Sequence, residues 1–331
     1  MDNSGLTFAK ILPMSTDRDC VIPFLFEHLD IRGAWVSLDQ TWAGLTRDRN
    51  YPAPVARLLG EMSAVSALIA ANLKQPGRMT FQLRGDPAEL TAIDLLVLDC
   101  DEQLRMRGMA RWKAGELPAD TAGLLGHGQL LLTLDAVGMR HPYQSLVPLE
   151  GPDIATVFEH YLSRSEQQPT RLALASNEMR AAGLFLQRLP VAEHAEPPGH
   201  RDAASSPQRG QGNLGRPGNP LQDTDGWNRI QHLLETLKPE ELLVLEGHDL
   251  LRRLFPEEDI RVFDPRPVCY HCPEDWEKIH TMLRALGRAE CDAILRDHGE
   301  IHVRDDICNR DYRFDAQAVA AVFEPPSPTL H

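Results

Sequence analysis

Residues 51–74, YPAPVARLLGEMSAVSALIAANLK, set the frame for reading this chain. Val55, Leu58, Leu59, Met62, Val65, Ile69 and Leu73 recur at the spacing that lines one helical face, and the prolines stand at the start, where a missing N–H costs least. The spacing predicts an amphipathic core helix. Downstream, residues 79–85 alternate Met79, Phe81 and Leu83 with polar neighbours, while 92–101 and 129–135 are short apolar runs bounded by turn residues; all three predict strands. A second helix is expected over 153–164, where Ile154, Val157, Phe158, Tyr161 and Leu162 share a face. Apolar runs at 171–175 and 181–189 follow it. Residues 1–190 therefore read as an N-terminal mixed α/β core domain of an α+β protein.

Beyond residue 190 the composition changes. Residues 191–226 are rich in Pro, Gly and Ser and lack apolar periodicity, which predicts a flexible linker. Helical signals resume over 227–262 with Trp227, Ile230, Leu233, Leu234 and Leu237, then 240–245 and 249–255. Residues 263–316 read as a small C-terminal α/β module. It would contain a helix carrying Trp276, Ile279, Leu283 and Leu286, another around 291–295 and a hairpin ending near Phe314, and a tail over 317–331 would follow it. A module of about fifty residues seldom has enough core to stand alone, so a metal staple would suit it.

The chain has 331 residues, 34 Lys+Arg against 48 Asp+Glu, and a net charge of -14. Its composition is that of a globular protein, and the acidic balance argues against nucleic-acid binding, which needs concentrated basic side chains. The N-terminus lacks a basic region followed by an apolar one, so a cytoplasmic protein is expected. The apolar stretch 62–73 reads as too short to span a bilayer.

Four of the six cysteines lie within forty residues: Cys269, Cys272, Cys291 and Cys308. The knuckle Cys269-Tyr270-His271-Cys272, with Cys308, Asp305, His302 and His271 near it, offers the thiolates and the carboxylate or imidazole that a tetrahedral Zn²⁺ takes. Free or redox-active thiols are the other reading. Cys291 lies on an apolar helix face and reads as core, as do Cys20 and Cys100. The glycines in 123–128 precede a strand and read as a turn. No GxxxxGK[ST] loop, GxSxG elbow or HExxH helix is present, and His298-Gly-Glu300 stands in the wrong order for a deaminase, so no enzyme signature emerges. The polar trio 165–167 reads as a helix end and strand entry, and the charge pairs Arg252-Arg253 and Glu257-Glu258 as a solvated face.

Taken together, Arg32-Gly33 followed by Leu38, YPAPVARLLGE (51–61), FQLRGD (81–86), RMRGMARW (105–112), LLGHGQLLLTLD (124–135), YQSLVPLEG (143–151), HYLSRSEQQPT (160–170), AAGLFLQRLP (181–190), LLRRLFPEEDIRVFDPRPV (250–268) and YRFD (312–315) resemble the 33 kDa chaperonin family, redox-regulated bacterial holdases. The resemblance implies a core domain, a helical metastable linker and a C-terminal zinc-ribbon-like redox-switch module. It also implies ATP-independent holding of unfolded or oxidatively damaged clients, no catalytic residues, and a homodimer in the active form. In that family four cysteines, a CxC and a CxxC, hold zinc when reduced; oxidation makes two disulfides and opens the switch. Aligned on Tyr270 and YRFD, the positions of those cysteines fall on Cys272, Glu274, Asp305 and Cys308, so each pair has lost a thiol.

Three outcomes follow from that departure. Zinc is held by Cys272, Cys308, Asp305 and Glu274; or Cys269 joins Cys272 and Cys308 with Asp305 or His302, and a Cys269 to Cys272 disulfide becomes the switch; or no metal binds and heat or constitutive opening takes over. A thiol- or zinc-dependent oxidoreductase acting through Cys269 and Cys272 is the alternative function. Ser145, where the family has Gly, suggests a slightly altered turn.

Overall fold

The computed structural model describes residues 18–73, 76–85, 91–190 and 224–324. The chain begins with the hairpin β1 (Cys20–Phe26) and β2 (Ile31–Leu38), followed by the short helix α1 (Gln40–Thr46) and the long helix α2 (Ala53–Ala71). A meander of β3 (Gly77–Arg84), β4 (Ile93–Cys100) and β5 (Arg105–Trp112) leads through α3 (Thr121–Leu125) to β6 (Gln129–Ala136) and β7 (Tyr143–Val147). Helix α4 (Ile154–Ser165) then feeds the hairpin β8 (Thr170–Ser176) and β9 (Ala181–Arg188). The helices and strands expected from the sequence in this half are all present, and β1, β2, β5 and β7 are added to them.

Helix α2 lies between two sheets. Val55, Leu58, Leu59, Met62, Val65 and Leu68 are buried among Ala34, Val36 and Phe185 of the first sheet and Phe81, Leu96 and Leu98 of the second. By length and composition alone the 19-residue α2 is long and apolar enough to cross a bilayer. It is a core helix: 67% of its apolar 18-residue window is buried inside the protein. Prolines at its first turn and Asn72 closing its last carbonyls set its limits.

After the linker, whose residues 191–223 lie outside the described residues, come α5 (Thr224–Glu235), α6 (Pro239–Val244) and α7 (Gly247–Leu254). The chain then returns to the core. Strands β10 (Ile260–Val262) and β11 (Arg266–Pro267) pair antiparallel with β1, and β12 (Cys269–Tyr270) pairs parallel with β5. The first sheet thus runs β10-β1-β2-β9-β8 and the second β12-β5-β4-β3-β6-β7. Edge strands β1 and β5 leave unpaired backbone groups, and residues 260–270 supply their partners.

The C-terminal module contains α8 (Trp276–Leu286), α9 (Arg288–His298), the hairpin β13 (Ile301–Asp305) and β14 (Arg310–Phe314), and α10 (Ala316–Phe323). Ile279, Leu283, Cys291, Ile301, Tyr312, Phe314, Val319 and Val322 form its core. The tail expected from residue 317 onward instead begins inside a helix, Ala316–Phe323, capped by Asp315, which closes this core with Val319 and Val322.

Ser145 sits within β7 opposite Leu132, not in a turn. In the polar trio, α4 ends at Ser165, Gln167 takes φ 55°, and Glu166 accepts a 2.8 Å hydrogen bond from buried Gln187.

Candidate functional site

Two regions carry the features expected to matter. The first is the outer face of the first sheet. Along β1, β2 and β9 the side chains alternate between two apolar environments: Val21, Ala34, Val36 and Phe185 face α2, while Ile22, Phe24, Phe26, Trp35, Leu184 and Leu186 face outward. Strands buried on both faces read as continuous apolar runs. The outward set is covered by Trp227, Ile230, Leu234, Leu242, Leu250, Leu251, Leu254 and Phe255 from α5 to α7 and the turn after it. Gly33 lets the Phe24 ring lie flat across the neighbouring strand, since a Cβ there would fall 2.1 Å from Cζ. Phe26 meets Phe255 edge to face, their ring centres 5.1 Å apart.

Polar contacts pin the cover at its rim. Arg180, nearly buried, donates to both carboxylate oxygens of Asp39 at 2.6 and 3.0 Å and also to the Leu243 carbonyl of α6. Arg18 pairs with Glu246 at 2.8 Å, and Arg229 of α5 with Glu258 at 2.8 Å. Neither Arg180 nor Gly247 was singled out from sequence; single polar and glycine positions there carry no pattern that marks them.

The second region is the cysteine corner. Cys272 and Cys308 are joined by a disulfide with their Cα atoms 5.8 Å apart. Both residues are buried. Cys272 follows β12, where the Cys269 N–H donates to the Leu104 carbonyl and the His271 N–H to the Met106 carbonyl, fastening this strand to the second sheet. Cys269 itself is exposed and free. Asp305 turns inward on its own hairpin, with Oδ1 accepting from the Ile307 and Cys308 N–H groups at 3.0 and 3.2 Å. Glu274 accepts from the Trp276 indole at 2.8 Å and faces Arg310 at 3.8 Å. His302 contacts Asp311 at 3.0 Å, and His271 is exposed.

The five residues expected from sequence therefore divide. Cys272 and Cys308 come together, Asp305 caps the turn beside them, Glu274 serves Trp276, and Cys269 belongs to the strand of the core. Among the described residues no group of three or more His, Cys, Asp or Glu could hold a metal ion. As arranged, this donor set does not fit tetrahedral zinc: the two sulfurs are bonded to each other and both carboxylates are turned to protein donors. Cys20, Cys100 and Cys291 are buried. Burial, helped by Asp101, pushes the Cys100 thiol up to about 12, leaving it inert.

Comparison with known proteins agrees with this architecture. The family model described as "Hsp33 protein" matches residues 19–315. A 33 kDa chaperonin of Pseudomonas aeruginosa (strain LESB58) is 36% identical over 317 residues, covering 93% of this chain and 97% of that protein. A 33 kDa chaperonin of Methylobacillus flagellatus is 37% identical over 294 residues, 88% of this chain and 90% of that protein. The crystal structure of a 33 kDa chaperonin from Thermotoga maritima shares the fold, with a TM-score of 0.70 at 20% identity over 92% of this chain and 97% of that one. With the two-sheet core, the helical cover and the small terminal module all present, the chain belongs to the Hsp33 family of 33 kDa chaperonins.

Proposed function

We propose that this chain is an ATP-independent holdase that binds unfolding or oxidatively damaged polypeptides on the outer face of its first sheet once α5 to α7 lift away. The observation that supports the reading is the covered face itself. Ile22, Phe24, Phe26, Trp35, Leu184 and Leu186 form a contiguous apolar surface whose cover is a succession of short helices joined to the core through a long linker. Short helices depend on tertiary packing for their stability, so this cover can detach without unfolding the sheet beneath it. An apolar sheet face laid bare suits extended, unfolded segments. The net charge of -14 would keep loaded complexes dispersed. Nothing in this mechanism consumes a nucleotide or requires a catalytic residue. It suits a cytoplasmic protein, and a homodimer would present two such faces.

The test is light scattering of a thermally unfolding client enzyme, with and without ATP. Suppressed scattering independent of ATP is expected; scattering equal to that of client alone under heat, oxidant and reductant overturns the reading. The oxidoreductase alternative gains less support, because Cys272 is buried and bonded to Cys308 while Cys269 is a free thiol. Reduction of insulin, lost in Cys272→Ser, would favour it.

A further inference from the structure

Trp35 stands at the middle of the covered face. It belongs to β2, the central strand in the order β10-β1-β2-β9-β8, and its cross-strand neighbours are Ile22 on β1 and Leu184 on β9. Trp35 is 2% exposed. A Cβ on Gly247 of α7 would meet its ring at Cε3, Cδ2 and Cζ3, on the side of the indole away from Nε1. The buried residues that cluster with it, such as Ile22 and Leu184 below and Leu250 and Leu251 in the cover, are apolar.

An indole N–H can donate and cannot accept, so inside a protein it needs one acceptor. Two other tryptophans of this chain find one: Trp42 Nε1 donates to the Asn177 carbonyl at 2.9 Å, and Trp276 Nε1 to the Glu274 carboxylate at 2.8 Å. Trp35 Nε1 is buried and no protein group accepts from it. The other such side-chain atom among the described residues, Arg310 Nη1, still faces Glu274 at 3.8 Å. A buried donor without an acceptor costs the covered state its lost hydration, a cost that Phe or Leu in the same place would not bring.

We propose that Trp35 is a specificity-determining residue of this face: when α5 to α7 lift away, its indole N–H donates to a backbone carbonyl of the extended, unfolded segment that replaces them. The proposal rests on the holdase reading. The apolar side chains around Trp35 attract any apolar surface without regard to its chemistry, since hydrophobic attraction has no direction. A single donor at their centre favours a ligand that brings an acceptor, because a ligand without one leaves the donor buried and unpaired again. An unfolded polypeptide brings a carbonyl at every residue, so it can pair the donor in any register. A purely apolar molecule cannot. The donor thus separates unfolded chains from other apolar ligands on a surface that would otherwise take both.

The test places 3-benzothienylalanine, in which sulfur replaces the indole N–H at nearly the same size, at position 35 of the full chain through a suppressed stop codon. Two probes are titrated at the temperature where the wild type suppresses client aggregation: reduced, carboxymethylated α-lactalbumin, which cannot fold, and N-phenyl-1-naphthylamine, an apolar dye without a carbonyl. The substituted chain should bind the unfolded protein about three- to tenfold more weakly and the dye equally well. A purely structural role for Trp35 would move both probes together, and that result overturns the proposal, as does unchanged binding of the unfolded protein. A second measurement needs no substituted chain. In spectra of wild type labelled with ¹⁵N at its indoles, the signal that Trp35→Phe removes should show no cross-peak to water in the resting protein and should move downfield when carboxymethylated α-lactalbumin is added. A bound-water cross-peak at rest, or a signal that the unfolded protein leaves in place, overturns the proposal. The two readings fail differently: a wild type that binds no unfolded protein sinks the holdase and this proposal with it, whereas equal binding by both chains sinks the proposal alone.

Discussion

Gly247, the first residue of α7, lies against the indole face of Trp35, close enough that a Cβ would come within 2.7 Å of ring carbon Cε3. The helical cover meets the sheet here with no room for a side chain. Gly247→Val should therefore wedge α7 away, costing about 1–3 kcal/mol of stability as overpacking does. The expected signature is a lower Tm together with greater suppression of client aggregation by the untreated protein; a lower Tm with no gain in holding would detach the cover from function.

Arg180 joins the cover to the core through Asp39 and the Leu243 carbonyl. Arg180→Ala leaves Asp39 with fewer partners and frees α6, at a cost of about 1–3 kcal/mol. Lysine should rescue little, because one ammonium cannot reproduce the two-pronged contact. Protease sensitivity of residues 236–255 is the readout.

Glu61 on α2 is pushed up to about 7 by burial, opposed by Arg57 and reinforced by Asp153. Its folded value exceeds the unfolded one, so the protonated form favours folding. Stability from this group is fully present below about pH 4.5 and is lost as pH rises toward 7, at no more than about 1.4 kcal/mol per pH unit for one proton. Glu61→Gln should flatten that part of the stability profile and exceed the wild type at pH 8 in denaturant titration.

The Cys269 thiol is exposed, whereas Cys20, Cys100 and Cys291 are buried. Brief treatment of the native protein with N-ethylmaleimide should label Cys269 before any of them, as peptide mapping would show. Labelling of Cys100 at a comparable rate would contradict its burial.

The donors at the cysteine corner are engaged with one another or with protein groups. A strong chelator should then leave the Tm of the oxidised protein unchanged, and zinc should not raise it. A rise in Tm with added zinc would mean that the corner rearranges around the metal.

Much of the core could be read from residues alone. The helix over 53–71 and strands β3, β4, β6, β8 and β9 have clear period or clear boundaries. Strand β5 was missed because Met109 and Ala110 break its alternation, although its arginines hold a signal: Arg107 pairs with Asp99 and Arg111 with Asp94 on β4, in antiparallel order. Strands β1 and β2 lack alternation because both of their faces are covered. At the candidate site, the pairing of Cys272 with Cys308 was not legible. They lie 36 residues apart, and spacing alone equally allowed Cys269 as a partner.

What the sequence determined by itself is the local chemistry: where the main helices begin and end, which residues are apolar, that thiols gather near the C-terminus, and, through many short motifs together, the family. Tertiary structure decided which face of the first sheet the later helices cover, which strands residues 260–270 complete, and that Asp305 and Glu274 bond protein donors beside a Cys272–Cys308 bridge. The division has a physical cause. Helical and strand periodicity are set by neighbours within a few positions, whereas a bridge or a cover joins residues that chain folding alone brings into contact.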